Sequence, residues 1–168
     1  MNQAGESIRE IYAAFEVGTN PVSAEADGYD VVMEYGDGSK VVRSGGSRAW
    51  RNNNPGNLRN TRFSINRGSI GEAGGFAVFP TDEAGRAALV DLLNTRTYQR
   101  LTINEAINRY APSIENNTRN YQTLIQRFTG LSGQTQMSTL SSTQINGVAN
   151  AIGRVEGWTV GNVSDRSF

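Results

Sequence analysis

Between Thr81 and Glu156 the chain repeats one pattern four times: a residue able to cap a helix, apolar residues three and four apart, then a stop signal. Thr81 precedes Ala84, Ala88, Leu89, Leu92 and Leu93. Thr102 precedes Ala106, Ile107 and Tyr110, with Glu105 placed to complete a capping box and Pro112 to end the segment. Asn117 precedes Tyr121, Leu124, Ile125 and Phe128, which Gly130 closes. The last segment, from about Ser142 to Glu156, carries Ile145, Val148, Ala149, Ile152 and Val155 and stops at Gly157. Each segment has one apolar stripe, and a lone helix has nothing to bury it against. The second half is therefore expected to pack as a helical lobe.

The first half reads differently. Ser7 and Glu10 form a capping box ahead of Ile8, Ile11, Tyr12 and Phe15, and Gly18 and Pro21 end that helix with Glu16 in its last turn. Tyr29 to Tyr35 and Lys40 to Val42 are β-rich, and Gly36-Asp37-Gly38-Ser39 between them predicts a hairpin. Asp27-Gly28 and Asp37-Gly38 read as turn residues. Ser44 to Ser47 reads as a flexible joint, Arg51 to Arg59 as a polar loop around Pro55-Gly56, and Phe76 to Phe79 as a strand closed by Pro80. The predicted order is helix, hairpin, loop, strand and four helices, an α+β fold that is mainly α. The length of 168 residues fits one domain. Its parts are expected at 1–47 (helix and hairpin), 48–158 (Asn-rich loop and helical lobe) and 159–168 (a loose tail).

Absent residue types narrow the chemistry. The chain has no His and no Cys. Ser-His-Asp triads, thiol catalysis, disulfides and the usual zinc sites are excluded, and neither a metal nor a cofactor is expected. A proton donor would have to be a carboxyl group, a Tyr or Lys40, the one lysine among sixteen cations. The other fifteen are Arg, whose flat fork suits carboxylates and sugar hydroxyls. Sixteen acids balance them, which argues against a nucleic-acid partner. No apolar run is long enough for a membrane span, so no membrane insertion is expected. Residues 1–10 lack the basic and apolar regions of a signal peptide.

Three features are candidates for function. Glu16 sits at a predicted helix end beside a hairpin. Burial there disfavours the ionised carboxyl, as a general acid requires, and the negative end of the helix dipole pushes the same way. Glu156 also ends a helix, which Trp158 two residues on would pack if its role is structural, and nearby Arg154 could hold it ionised. The third is the run Asn52-Asn53-Asn54-Pro55-Gly56-Asn57 between Arg51 and Arg59. Its amides offer the mix of donors and acceptors that sugar hydroxyls and N-acetyl groups require, although Asn also serves turns. The acids Asp30 to Asp37 lack the spacing of a calcium loop.

Two resemblances follow from these residues. Glu16 with Gly18-Thr19, then Gly28-Tyr29-Asp30-Val31-Val32, resembles the active-site region of phage lambda-type endolysins, although Val17 separates Glu16 from the Gly-Thr pair. Arg51 to Arg59 (RNNNPGNLR), Gly75 to Thr81 with Glu83-Ala84-Gly85, Ile107 to Pro112, Glu115 to Thr118 with Tyr121, and Ala151 to Gly157 together resemble lysozyme-like domains of phage virion-associated and secreted-effector proteins. That likeness spans about residues 51–157; where the family often has His before the Glu, this chain has Val155.

The resemblance implies a lysozyme-like fold and cleavage of the MurNAc–GlcNAc bond in peptidoglycan by a muramidase or a lytic transglycosylase. Glu16 is the expected catalytic acid and Glu156 the alternative. Tyr29, Asp30, Asn53, Asn54, Asn57 and Arg59 are the expected substrate-binding residues, with Asp30 also the candidate second carboxylate. Such a chain would act in the periplasm or cell wall after delivery by lysis, a virion or a secretion machine, and an immunity or inhibitor protein could partner it. The rival expectation is a glycan-binding or structural virion module that keeps the fold without the chemistry.

Overall fold

The computed structural model describes residues 20–112 and 117–166, and the statements below concern those residues. The expected first helix, with Glu16, and the segment holding Glu115 and Asn116 lie outside them. The chain is a mixed α+β protein with a six-stranded sheet and seven α-helices. In chain order the elements are β1 (Ser23–Asp27), β2 (Asp30–Glu34), β3 (Lys40–Ser44), α1 (Arg48–Arg51), α2 (Arg62–Ile65), β4 (Gly71–Ala73), β5 (Phe76–Val78), α3 (Asp82–Leu93), α4 (Arg96–Gln99), α5 (Ile103–Tyr110), α6 (Thr118–Thr129), a 3₁₀ turn (Met137–Thr139), α7 (Ser142–Glu156) and β6 (Asn162–Asp165).

The four long helices stand where their caps place them. Thr81 Oγ1 accepts from the Ala84 amide, Thr102 and Glu105 complete their capping box, Asn117 Oδ1 accepts from the Asn120 amide, and Ser141 with Gln144 forms another box ahead of α7. Gly130 closes α6 in the left-handed conformation at φ 70°. The stripes of α3, α5, α6 and α7 meet in one core around Leu89, Leu93, Ile107, Ile125 and Ile152, and Phe79 and Leu58 enter it from the sheet side.

The sheet runs β5-β4-β1-β2-β3-β6. The expected hairpin is β2–β3, paired Val31↔Arg43 through Glu34↔Lys40. Its turn is fixed by Asp37, whose Oδ1 accepts from the Ser39 amide and hydroxyl at 2.9 and 2.6 Å. Those bonds hold the Asp37 carboxyl below the usual carboxylate range. A second hairpin, β1–β2, turns on Gly28-Tyr29, and a third, β4–β5, turns on Gly74-Gly75 at φ 63° and 84°. β1 and β4 run parallel so closely that a Cβ on Gly71 would come 1.9 Å from the Ala24 carbonyl oxygen. Beneath this sheet Val31, Met33, Ala73 and Val78 form a second, smaller core.

Two expectations are corrected here. The tail is not loose where it is described, because β6 pairs antiparallel with β3, Val41↔Asp165 through Ser44↔Asn162. Nor is Ser44 to Ser47 a free joint. Arg51 Nη1 donates to the Gly45 and Gly46 carbonyls at 2.9 and 2.8 Å, the Ser47 amide donates to the Thr159 carbonyl, and the Thr159 amide donates to Ser47 Oγ. A Cβ on Gly46 would meet the Thr159 carbonyl oxygen at 2.4 Å, so glycine lets the two chains cross there. Strands from all three expected parts of the chain thus share one sheet, although none was expected in the tail. No helix among the described residues is long and apolar enough to cross a membrane.

Candidate functional site

The polar run after α1 resolves into two sets of side chains with different fates. Asn52, Asn53 and Asn54 are buried, at 1, 5 and 0% exposure. Their amides donate to backbone carbonyls of the loop and of the segment around β5. Asn52 Nδ2 donates to Ala73 and Ala77, Asn53 Nδ2 to Phe79 and Pro80, and Asn54 Nδ2 to Leu58 and Ala77. Asn54 Oδ1 also accepts from the Leu58 amide at 2.9 Å. Asn53 and Asn57 take left-handed φ of 48° and 47°, a conformation that Asn tolerates better than most residues. Asn53 and Asn54, expected to bind substrate, therefore face inward and shape the loop instead.

The stretch that follows runs along β5. The Ala77 amide donates to the Leu58 carbonyl, and Arg59 bridges Phe76. Asn57 and Arg59 are thereby turned into a groove of about 460 Å³, whose lining also includes Arg48, Phe76, Tyr98, Tyr110 and Glu156.

Glu156 enters this groove from the last turn of α7. The C-terminal end of a helix repels an anion, so the carboxylate needs donors from elsewhere. Tyr121 supplies its hydroxyl to Oε1 at 2.8 Å, and Asn57 supplies Nδ2 to Oε2 at 2.8 Å. Arg154, the cation that could have held it ionised, stacks over the Phe128 ring at 3.8 Å from its centroid. Tyr110 packs edge-on to Tyr121, ring centroids 6.4 Å apart, and donates its hydroxyl to the Gly56 carbonyl. Burial, reinforced by the Glu156 charge, pushes both phenols far above the usual tyrosine range. Both phenols therefore remain neutral donors up to the usual tyrosine range and beyond.

Gly56 must be glycine for this arrangement, because a Cβ would press on the Tyr110 hydroxyl and on Leu89. Committing Asn57 Nδ2 to Glu156 leaves Asn57 Oδ1 buried without a donor among the described residues. At the other wall, the guanidinium carbons of Arg48 and Arg59 stand 4.2 and 4.4 Å from the Phe76 ring centroid.

The groove thus gathers three of the expected residues: Glu156, Asn57 and Arg59. Tyr29 is 91% exposed on the β1–β2 turn with Asp30 beside it, and neither lines the groove. Glu16 lies outside the described residues. Tyr121, Tyr110, Arg48 and Phe76 were not expected at a site. The signal for Tyr121 was present but ambiguous, since it belongs to the apolar face of α6 and carries a hydroxyl that needs a partner once buried. A second groove, of about 620 Å³, is lined in part by Pro55, Asp82, Glu83, Arg86 and Trp158. Its acids sit in the exposed first turn of α3, where Asp82 accepts from the Glu83 amide, so they read as helix-start residues. Comparison of the chain with protein-family models, with curated proteins and with solved structures gives no match.

Proposed function

We propose that the Glu156 groove is the active site of an enzyme that cleaves the glycan strand of peptidoglycan, with Glu156 as the general acid on the bridging oxygen of the MurNAc–GlcNAc linkage and a lysozyme-like arrangement of the helical lobe around it. The observation that carries this reading is the placement of one carboxyl group, in a groove, between two neutral donors at 2.8 Å. Arg154, the cation nearest in sequence, is engaged with the Phe128 ring. Tyr121 holds Oε1 and fixes the carboxyl plane. Asn57 sits on a polar loop and holds Oε2, the oxygen that would give up its bond when it delivers a proton.

Departure of the protonated oxygen leaves an oxocarbenium-like sugar. Water can capture it, giving a reducing end. Alternatively, the substrate's own C6 hydroxyl can close a 1,6-anhydro ring, and the hydroxyl proton then returns to the carboxylate. Neither route calls on a metal. Asn57 and Arg59 would hold the sugar's polar substituents, and the buried Asn52, Asn53 and Asn54 keep that loop in place. A chain acting on this substrate would have to be delivered to the cell wall, for which lysis, a virion or a secretion machine is the proposed route, and an inhibitor protein shaped to the groove is a proposed partner.

Digestion of purified peptidoglycan by the wild-type chain, with products read by mass spectrometry, tests the class. Anhydro ends would identify a transglycosylase and reducing MurNAc ends a muramidase. A folded chain that binds glycan strands and releases nothing would instead be the non-catalytic module.

A further inference from the structure

We propose that the groove of about 620 Å³ between α3 and α7 is a second carbohydrate site, one that holds a neutral stretch of N-acetylated glycan against Trp158 without taking part in cleavage. That the glycan comes from peptidoglycan rests on the reading above; the preference for a neutral sugar rests on the groove itself. Its floor is apolar, with Pro55, Leu89 and Ala149 on it, and Gly153 adds no side chain. A Cβ on Gly153 would stand 3.7 Å from Pro55 Cβ, an ordinary contact. Packing therefore does not demand glycine there, and its effect is to leave the floor open. Trp158 lines the same groove and is 40% exposed, whereas Trp50, the other tryptophan, is buried. An indole left partly in water at a concave surface gains by being covered, and its N–H offers the occupant a polar handle.

Charge narrows the occupant. Asp82 and Glu83 stand on the lining with Arg86 and Arg154, and their charges sum to zero. Both arginines are already engaged, Arg86 with Asn146 Oδ1 at 3.3 Å and Arg154 over the Phe128 ring. A polyanion or a cationic peptide thus meets no net attraction. A pyranose fits better. Its C–H face is apolar and suits the indole and the floor, while its hydroxyl and N-acetyl groups both donate and accept, as the carboxylates and the Asn150 amide on the rim require. The two grooves also share a wall. Pro55 lines this one while Gly56 and Asn57 line the other, and α7 gives Gly153 and Arg154 here and Glu156 there. A strand long enough to cross that wall would be held at two points, the second contact being intramolecular.

The fluorescence of the two tryptophans makes the test local to this groove, because Trp50 is buried and Trp158 is not. Glu156→Gln protein would be titrated with chitotetraose, a neutral N-acetylglucosamine tetramer, and the quenching of tryptophan by acrylamide measured at each step. Saturating sugar should lower the quenching constant by about half, since a seated ligand shields the ring from the quencher. Trp158→Phe should lose that response. Gly153→Leu, which plugs the floor, should weaken binding read by this signal about tenfold or more while keeping the thermal midpoint. Gly153→Ala, whose added Cβ makes only the ordinary contact, should fold in any case and weaken binding less. No change in quenching with chitotetraose, or equal affinity in the wild-type, Ala and Leu forms of position 153, would overturn the site. So would quenching that falls with protein concentration in the absence of sugar, which would give the groove to a second copy of the chain. If wild type cleaves peptidoglycan while Trp158 ignores chitotetraose, this site alone fails. If wild type cleaves nothing while Trp158 still responds and Gly153→Leu abolishes the response, the cleavage reading fails and this site stands.

Discussion

Replacing Asn54 tests whether the Asn-rich loop is a scaffold or a ligand surface. Its side chain is fully buried and makes three hydrogen bonds at 2.9 Å: two donated by Nδ2 to the Leu58 and Ala77 carbonyls, and one accepted by Oδ1 from the Leu58 amide. Alanine removes all three: the Leu58 amide loses its partner in the interior, while the Leu58 and Ala77 carbonyls each lose one donor and keep the Ala77 amide and Asn52 Nδ2 respectively. At roughly 1 kcal/mol for each lost bond, the cost is about 2–4 kcal/mol. For a chain of this length that lowers the thermal midpoint by roughly 5–15 °C. Aspartate is nearly the same shape and separates the two accounts. It still accepts from the Leu58 amide, but it sets a carboxylate oxygen against two carbonyl oxygens where a donor had been. The expected order of stability at pH 7 is therefore Asn above Ala above Asp, although Ala is the larger change in volume. Urea unfolding at pH 7 and at pH 4 reads this order, and the Asp variant should recover part of its loss at pH 4 by donating a proton to one carbonyl. An Asp variant as stable as wild type, or an Ala variant within about 0.5 kcal/mol of it, would refute the scaffold account.

Other expectations follow from single contacts. Gly85 lies inside α3, where alanine normally helps by about 1 kcal/mol; here a Cβ would meet the Asn53 carbonyl oxygen at 1.9 Å, so Gly85→Ala should lower stability by about 2 kcal/mol or more. Gly147 in α7 has open space at that position, and Gly147→Ala should raise stability by about 0.5–1 kcal/mol in the same unfolding assay. Tyr110 and Tyr121 titrate above their unfolded value of 10.0, so the folded chain keeps protons that the unfolded chain releases. Their contribution is complete below pH 10 and falls above it by about 1.4 kcal/mol per pH unit for each, and Tyr121→Phe should remove one such increment from the alkaline slope. That same variant strips Glu156 Oε1 of its donor, and kcat on peptidoglycan should drop by about tenfold or more with KM little changed.

The helical lobe was legible because its information is local. Caps, apolar spacing and stops within a dozen residues set α3, α5, α6 and α7, and only single-turn helices such as α4 escaped. The sheet was legible in β2, β3 and β5, whose β-branched and aromatic residues stand between turn signals, and not in β1, β4 or β6. β2 holds Val31, Val32 and Met33, all buried, whereas β1 and β6 are mostly or wholly exposed and carry no alternation to read. They are strands because a partner is present, and β1 even pairs in parallel with β4, far along the chain.

The site was half legible for the same reason. Glu156 could be picked out as a carboxyl at a helix end, but Asn57 is 99 residues from it and Tyr121 is 35 residues from it. No spacing rule reaches that far. The Asn run misled in an informative way. An amide that pins a carbonyl and an amide that waits for a sugar are the same residue in the sequence, and burial alone separates Asn53 and Asn54 from Asn57. Arg154 misled similarly, because its aromatic partner Phe128 lies on α6.

The most direct test of the central claim is the rate of release of soluble fragments from purified peptidoglycan by wild type, Glu156→Gln and Glu16→Gln at matched concentrations. Glu156→Gln should fold, since Gln keeps an oxygen for Tyr121, and Asn57 can turn its amide so that its undonated Oδ1 accepts from the new N–H. The account predicts that this variant keeps the wild-type thermal midpoint within a few degrees and loses at least about a thousandfold in rate, while Glu16→Gln stays within a few-fold of wild type. Full activity in Glu156→Gln, or loss confined to Glu16→Gln, would contradict it.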